Sequence, residues 1–235
     1  MTLYQETWFY APVQAADSVL TLPDDEEKHA RKVLRLQPDS EILITNGMGS
    51  VFRGRLLGGD GAQVEILERV LHEPSPPAYS VALALLKGND LEIPLEGVCE
   101  FPVRDVFLLR TDQSSEFRGQ NFEKLLERLR RKSLAALKQA KKSWLTRIHP
   151  PQELQAWREK NRIIALAVAH PGKDNLPDPQ PGELHVLVGP EGGFSKSELA
   201  YLFEQENCYC LPLGPTRLRA IHAPVAALGS LIGRR

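Results

Sequence analysis

The hydrophobic positions divide the chain into a β-rich first part and a second part in which strands and helices alternate. In the first part, short apolar stretches predict strands at residues 7–10, 41–45, 49–57 and 62–70. Asn46-Gly47, between the second and third stretches, is typical of a tight hairpin turn. One helix, predicted at residues 23–36, has acidic residues in its first turn and basic residues in its last, an order that complements the helix dipole.

The second part follows the pattern of an α/β domain. Apolar runs predict strands at residues 81–86, 106–109, 163–169, 185–188 and 208–213. An apolar stripe predicts a long helix at residues 121–145. Further helices are predicted at residues 196–206 and, as short ones, after residue 90 and at residues 223–232. Alternation of this kind predicts a mostly parallel sheet. Pro74, Pro76 and Pro77 indicate a short, stiff linker, so we assign residues 1–72 to a first domain, 73–79 to the linker and 80–235 to a second domain.

Two glycine turns stand near the end of the second domain. Gly189, Gly192 and Gly193 follow the strand at residues 185–188, and Gly214 follows the strand at residues 208–213. Ser195 and Glu198 have the spacing of a capping box, which predicts that a helix begins at Lys196. Two parallel strands joined by this helix would place both turns at one edge of the sheet, where open α/β sheets bind ligands. The run matches neither a P-loop nor a dinucleotide fingerprint, so the glycines alone leave a ligand-free turn equally open.

Composition narrows the class of protein. The chain has 235 residues, of which 42% are hydrophobic and 25% charged, with a formal net charge of −1, so an RNA site would have to be a local basic patch. No apolar run is long enough to span a membrane, the N-terminus does not resemble a signal peptide, and three cysteines provide no disulfide framework. We therefore predict a cytoplasmic location.

Cys208 and Cys210, together with His222, are the only residues that suggest a metal site. Residues i and i+2 of a strand lie on one face, so a buried strand explains the two cysteines without a metal. We predict no metal.

Two basic surfaces are candidates for RNA contact. Lys28, Arg31, Lys32 and Arg35 have the spacing of one helix face, and such a stripe can follow a phosphate backbone or can simply be solvated. The helix predicted at residues 121–145 is also rich in lysine and arginine, with the same two interpretations.

The two glycine turns together carry a family resemblance. Gly-Pro-Glu-Gly-Gly-Phe-Ser at residues 189–195, followed by Leu-Gly-x-x-Arg-Leu-Arg at residues 213–219, resembles the ribosomal RNA small subunit methyltransferase E family, of the SPOUT class. The resemblance implies a C-terminal SPOUT-like α/β domain with a trefoil knot around a mostly parallel sheet. It further implies a homodimer through that domain, S-adenosylmethionine as cofactor, and methylation of uridine N3 in small-subunit ribosomal RNA.

The first domain carries a second resemblance. Glu26-x-x-His29-x-x-x-Val-Leu-Arg35, followed by Asn46-Gly-x-Gly, is similar to the N-terminal PUA-like domain of that family, a small β-barrel thought to grip RNA. This resemblance makes His29, Arg31 and Arg35 candidate RNA contacts. Together with the basic helix face and with the Gln-Ser-x-Arg position on the long helix, the predicted RNA contacts are Lys28, His29, Arg31, Lys32, Arg35, Gln139 and Lys142. His29 could equally be a core histidine, because Val33 and Leu36 are its helical neighbours.

The resemblance also implies the site residues. Main-chain groups of the two turns would hold the cofactor. Leu109 and Thr111 would close a third side if their strand lies next in the sheet. The predicted cofactor contacts are Leu109, Thr111, Val188, Gly189, Pro190, Glu191, Gly192, Leu211, Leu213, Gly214, Leu218 and Arg219. Arg217 or Arg219 could stabilise charge that develops on the base, and Glu191 could accept a proton or only cap its turn.

Three segments depart from the family pattern. Ala220-Ile221-His222-Ala223 stands where the family has Thr-Glu-Thr-Ala, and residues 97–102 replace its Lys-Ala-Thr-Glu-Leu-Gly segment. Gln139-Ala-Lys-Lys142 replaces Gln-Ser-x-Arg, which exchanges a planar guanidinium for an ammonium. These departures favour one alternative, a divergent paralogue that binds RNA or a nucleotide without methyl transfer. A purely structural α/β protein is a third possibility. We expect an active methyltransferase because both glycine turns are present.

Overall fold

The computed structural model describes residues 6–14, 17–59, 61–86, 90–114, 122–178, 180 and 182–234. The chain forms two compact units. Unit 1 comprises residues 1–76 and 134–145, and unit 2 comprises residues 77–133 and 146–235. The sequence-based assignment placed the whole of 80–235 in the second domain, whereas residues 134–145 belong to unit 1.

Unit 1 is built on a curled, five-stranded mixed sheet, an open half-barrel. Its strands are β1 (Trp8–Tyr10), β2 (Val19–Thr21), β3 (Glu41–Thr45), β4 (Ser50–Leu56) and β5 (Gln63–His72), in the order β1-β3-β4-β5-β2. β1 pairs with β3 in parallel, and the other neighbours are antiparallel. Four of these strands were predicted. β2 was missed because it is a three-residue edge strand without a buried face.

The helix of unit 1 is shorter than predicted. α1 (Asp24–Lys28) continues as a π-helical turn, His29–Val33, and the amide of Leu36 then donates to the carbonyl of Ala30 at 3.0 Å. Arg35 adopts a left-handed backbone conformation, with φ of 53°, which ends the helix. Ala30 is fully buried and anchors the helix in the core formed by the sheet.

Residues 134–145 complete unit 1 by docking on the β3–β4 hairpin. The amide of Gly49 donates to the carbonyl of Ser143 at 2.9 Å, and the amide of Leu145 donates to the carbonyl of Gly47 at 2.9 Å. The indole of Trp144 donates to the carbonyl of Glu73 at 3.2 Å. A Cβ on Gly49 would lie 2.3 Å from that same carbonyl oxygen, so this approach requires glycine.

Unit 2 is built on a six-stranded sheet in which every pairing is parallel. Its strands are β6 (Tyr79–Ala84), β7 (Val103–Arg110), β8 (Arg147–Glu153), β9 (Ala165–Ala169), β10 (Leu184–Val188) and β11 (Cys208–Leu211), in the order β11-β9-β10-β6-β7-β8. The helices are α2 (Glu92–Glu100), α3 (Phe122–Gln139), α4 (Leu154–Lys160), α5 (Lys196–Phe203) and α6 (Ala223–Ile232). The boundary between the units falls within α3. None of the helices described is long and apolar enough to cross a membrane.

The predicted SPOUT-like α/β fold class is confirmed, and three details differ. α3 ends at Gln139 rather than at residue 145, because Lys141 turns into the left-handed region with φ of 54°. β8 and α4 were missed. β8 is an edge strand that contains Pro150 and Pro151, residues that argue against a strand in sequence and are tolerated only at an edge. The trefoil knot stays a prediction of the family resemblance.

A buried histidine lies in the core of unit 2. His185 on β10 is 1% exposed, and its ring packs against Trp157 and Phe107 with centroid separations of 5.5 Å. Neither ring nitrogen has a hydrogen-bond partner among the described residues. Burial, with a smaller contribution from the nearby Arg104, lowers the pKa of His185 to about 4 from its ordinary 6.5.

This burial predicts a specific pH dependence of stability. Above pH 6.5 His185 is neutral in both the folded and the unfolded state. Between pH 6.5 and 4 the imidazole is protonated in the unfolded chain but stays neutral in the folded protein, so stability falls as the pH falls. His185→Leu should therefore match the parent near pH 7 and exceed it by roughly 3 kcal/mol in unfolding free energy near pH 4. Urea unfolding at several pH values measures this difference. A constant difference across the window would contradict the burial argument.

Candidate functional site

A cavity of about 960 Å³ lies at the edge of the unit 2 sheet where β9, β10 and β11 end. Three segments and Asp90 line it: residues 169–171 after β9, residues 188–194 after β10, and residues 213–221 with Ala223 after β11. Its volume is typical of sites that hold a small molecule. Both glycine turns thus line one cavity, as their positions after parallel strands predict.

The first glycine turn, residues 189–195, leads directly into α5. The amide of Gly193 donates to the carbonyl of Pro190 at 2.9 Å, and Gly193 has a φ of 80°. The predicted capping box is confirmed. The Ser195 hydroxyl accepts from the amide of Glu198 at 3.2 Å, and the Glu198 carboxylate accepts from the amide of Ser195 at 2.8 Å. The turn is therefore fixed at its helical end.

The second glycine turn, residues 213–219, is tied to the first. A guanidinium nitrogen of Arg217 donates to the carbonyl oxygen of Glu191 at 2.8 Å. Gly214 has a φ of 116°, a backbone conformation that L side chains rarely adopt, although its surroundings are open. Arg217 consequently has a structural role in joining the turns.

Most of the predicted cofactor contacts line the cavity. They are Val188, Gly189, Pro190, Glu191, Gly192, Leu213, Gly214, Leu218 and Arg219. Leu109, Thr111 and Leu211 lie outside the lining. Leu109 and Leu211 are fully buried in strands, and β6 lies between β7 and β10 in the sheet. The cofactor contacts at Leu109, Thr111 and Leu211 stay predictions.

The structure adds lining residues that sequence reasoning missed. His170 and Pro171 follow β9, which pairs with both β10 and β11 and so brings its own loop to the same edge. Asp90 and Phe194 also line the cavity. The sequence does not show that β9 lies between β10 and β11. The one local signal for these lining residues was the predicted end of the strand at residue 169.

All three candidates for the chemistry, Glu191, Arg217 and Arg219, line the cavity. Ala220 and Ile221, from the segment that departs from the family, also line it and make this side apolar. His222 is exposed and occupies the N-cap position of α6, but its side chain forms no capping hydrogen bond.

The cysteines show the properties of a buried strand. Cys208 and Cys210 are 6% and 8% exposed, and burial raises the pKa of the Cys208 thiol to about 11. Within the described residues, no group of three or more histidine, cysteine or acidic side chains is arranged to hold a metal ion.

The predicted RNA contacts all belong to unit 1, and their surroundings differ. Arg31 donates to the carbonyls of Gly59 and Gly61 and pairs with Glu27, so its guanidinium serves the structure. Lys28 lies 3.7 Å from Asp25. Lys32 and Arg35 are exposed, and among the described residues neither side chain has a hydrogen-bond or ion-pair partner.

The remaining candidates are placed by packing and by topology. The ring of His29 lies 5.9 Å from that of Phe9 and is half-buried. Gln139 is exposed and Lys142 is half-buried. Both belong to the segment of residues 134–145, which is part of unit 1. Charge is compensated nearby, since Lys138 forms an ion pair with the buried Glu26.

Two basic side chains of α3 within unit 2 form ion pairs with α2. Arg128 lies 2.7 Å from Glu92, and Lys132 lies 3.0 Å from Glu96. At Arg128 and Lys132 the structural, ion-paired interpretation is therefore favoured over that of an RNA surface.

Comparisons with known proteins agree with this architecture. An RNA methyltransferase domain family matches residues 73–232, and an RNA methyltransferase PUA domain family matches residues 22–67. Ribosomal RNA small subunit methyltransferase E of Mycobacterium bovis is 30% identical over 230 residues, covering 91% of this chain and 86% of that protein. The Synechocystis enzyme of the same name is 27% identical over 235 residues, covering 94% of this chain and 75% of that protein.

The fold has a solved counterpart. The crystal structure of ribosomal RNA small subunit methyltransferase E from Neisseria gonorrhoeae, bound to S-adenosyl methionine, superposes with a TM-score of 0.84 at 22% identity, covering 97% of both chains. Fold and matched domains thus define an RNA methyltransferase of the SPOUT class. Within that class, the chain belongs to the ribosomal RNA small subunit methyltransferase E family.

The geometry of the second turn makes a testable demand on Gly214. Gly214→Ala has room for its methyl group but forces an unfavourable φ, so we expect a loss of roughly 1–3 kcal/mol in unfolding free energy. Gly229→Ala is the matched control. It lies in the interior of α6, also in open space, and should instead stabilise by about 0.5–1 kcal/mol. Equal effects of the two changes in urea unfolding would contradict the strain argument.

Proposed function

We propose that this protein transfers the methyl group of S-adenosylmethionine to small-subunit ribosomal RNA, at N3 of a uridine. The observation that carries the proposal is the pair of glycine turns that line one cavity and are joined by the bond from Arg217 to Glu191. The names of the Mycobacterium bovis and Synechocystis relatives support the RNA substrate, and the ligand of the Neisseria gonorrhoeae enzyme supports the cofactor.

The residues of the cavity fit such a cofactor. Main chain of the two turns supplies donors and acceptors for a nucleoside, and Val188, Leu213 and Leu218 supply apolar walls. Leu218 is 36% exposed, so it is a large apolar side chain at the cavity that a ligand could cover. When bound there, S-adenosylmethionine would supply an electrophilic methyl group on a sulfonium.

The chain's own contribution to the reaction is positioning and charge. Uridine N3 carries a proton that must leave, and negative charge then develops on the base. Arg217 is already hydrogen-bonded to the first turn, so Arg219 is the better placed guanidinium to stabilise that charge. Glu191 and Asp90 are the carboxylates in the lining of the cavity, and Glu191 is the proton acceptor that we propose.

Unit 1 would grip the RNA. Lys32 and Arg35 have no competing partner among the described residues, and we assign them the main phosphate contacts, with Gln139 and Lys142 as further contacts. Arg31 and Lys28 would contribute less, because both already have partners. We also propose a cytoplasmic homodimer, formed through the C-terminal domain as the resemblance implies.

A second candidate function rests on one observation. Ala220 and Ile221 line the cavity where the family pattern has a hydroxyl and a carboxylate. A paralogue that binds RNA or a nucleotide without methyl transfer would be consistent with this loss of polar groups.

One experiment separates these functions. Calorimetric titration with S-adenosylmethionine, followed by methyl transfer to small subunits that lack the modification, should show binding and formation of 3-methyluridine by mass spectrometry of nucleosides. Arg219→Gln should reduce methyl transfer about 100-fold, with a smaller effect on cofactor affinity. Cofactor binding without any methyl transfer would favour the non-catalytic paralogue, and no binding by folded protein would refute the proposal.

The backbone of Arg35 allows its charge to be tested without loss of stability. Arg35 has a left-handed conformation, so Arg35→Gly should keep or raise stability while it weakens RNA binding and lowers the salt slope by about one unit. Asp39→Gly is the matched control, because Asp39 is exposed, has a φ of 69° and is acidic. It should gain the same backbone relief without weakening RNA binding. Equal RNA affinity for Arg35→Gly and the parent would exclude Arg35 from the RNA contacts.

A further inference from the structure

The loop that follows β7 packs against the first glycine turn from outside the cavity. Residues 111–114 form a compact turn of their own, in which the amide of Thr111 donates to the Ser114 hydroxyl at 3.0 Å and that hydroxyl donates to the carbonyl of Thr111 at 2.9 Å. None of these four residues lines the cavity. The loop is therefore a separate, internally braced element beside the turn.

One buried carboxylate joins this loop to the helix cap. One oxygen of Glu198 accepts from the amide of Ser195 at 2.8 Å, and the other accepts from the amide of Asp112 at 2.9 Å. Glu198 is 6% exposed, and hydrogen bonds from backbone amides to a buried carboxylate are strong. The capping box of α5 thus has a third member that comes from a different strand of the sheet.

Ser195 and Asp112 are also joined by their side chains. The hydroxyl of Ser195 donates to the carboxylate of Asp112 while it accepts from the amide of Glu198. Loop and cap are consequently linked in both directions, by Asp112 amide to Glu198 and by Ser195 hydroxyl to Asp112.

Gln113 provides the third contact. A Cβ on Gly192 would lie 2.2 Å from Oε1 of Gln113 and 3.2 Å from its Cβ, so this side chain lies directly against the turn. Arg217 holds the neighbouring Glu191 carbonyl from the other turn. Residues 191, 192 and 195 of the first turn are therefore each held by an element outside that turn.

We propose that Asp112 and Gln113 are positioning residues that clamp the first glycine turn in the shape that receives S-adenosylmethionine. The inference rests on the proposed function for the identity of the ligand. A loop fixed before binding loses less conformational entropy when the ligand arrives, so the clamp should set cofactor affinity although it does not line the cavity.

The simpler interpretation is that these contacts only stabilise the start of α5. Ser195→Asp separates the two, because aspartate caps a helix as well as serine does but cannot donate to Asp112 and places a second carboxylate against it. We expect unit 2 to stay folded, the affinity for S-adenosylmethionine to fall about tenfold, and amide exchange in residues 190–194 to become faster.

The reciprocal exchange is the control. Ser195→Asp combined with Asp112→Ser restores a hydroxyl facing a carboxylate, with the two ends interchanged. It should recover affinity to within about threefold of the parent and restore slow amide exchange. Gln113→Ala, an exposed truncation, should by itself weaken cofactor binding several-fold without a change in unfolding free energy, and it tests the clamp even if Ser195→Asp fails to fold.

The possible outcomes discriminate clearly. Parent-like affinity and exchange in both Ser195→Asp and Gln113→Ala would overturn the clamp. Weak binding that tracks lost stability, with no recovery in the exchanged double variant, would reduce the contacts to a helix cap and also overturn it. If the folded parent binds no S-adenosylmethionine, the proposed function fails, and amide exchange in residues 190–194 of the same variants still decides whether the loop clamps the turn.

Discussion

Parallel pairing of β9 with both β10 and β11 is the constraint on which the rest of the site depends. Parallel strands have their carboxyl ends at one edge, so the loops that follow these three strands meet there. Only because of this can Arg217, after β11, reach the carbonyl of Glu191, after β10. An antiparallel strand at any of the three positions would carry its loop to the opposite edge and open the cavity.

The site that results is lined mainly by the loops after these three strands. Methyl transfer from a sulfonium needs the acceptor held in line at close range, and positioning of this kind can provide much of a rate enhancement. Backbone turns are suited to that task only when they are rigid. The capping box of α5, the bond from Arg217 and the braced loop after β7 hold the first glycine turn from three directions. Of these supports, Arg217 lines the cavity, whereas Asp112, Gln113 and Glu198 do not, so the lining alone does not show everything that holds the turn.

Not every basic side chain of unit 1 is free to contact RNA, because some of them already have partners within the unit. Four basic residues follow one another closely in the sequence: Lys28, Arg31, Lys32 and Arg35. Arg31, however, donates hydrogen bonds to the carbonyls of Gly59 and Gly61, and Lys28 lies near Asp25. The left-handed end of the helix, at Arg35, leaves that guanidinium exposed. The same unit also includes residues 134–145, whose docking requires glycine at position 49.

By itself, the sequence determined the elements and turns whose signals are local. The apolar stretches of β3, β10 and α6, the capping box at Ser195 and Glu198, and both glycine turns are signals carried by neighbouring residues. The two turns also carried the family resemblance. Only the tertiary structure decided what depends on distant partners: the edge position that lets proline-rich β8 be a strand, the return of residues 134–145 to unit 1, and the contact of Asp112 with Glu198. The residues of the bond from Asp112 to Glu198 are 86 positions apart, so no local pattern in the sequence signals it. The bond forms only because the packed sheet brings the ends of distant strands together.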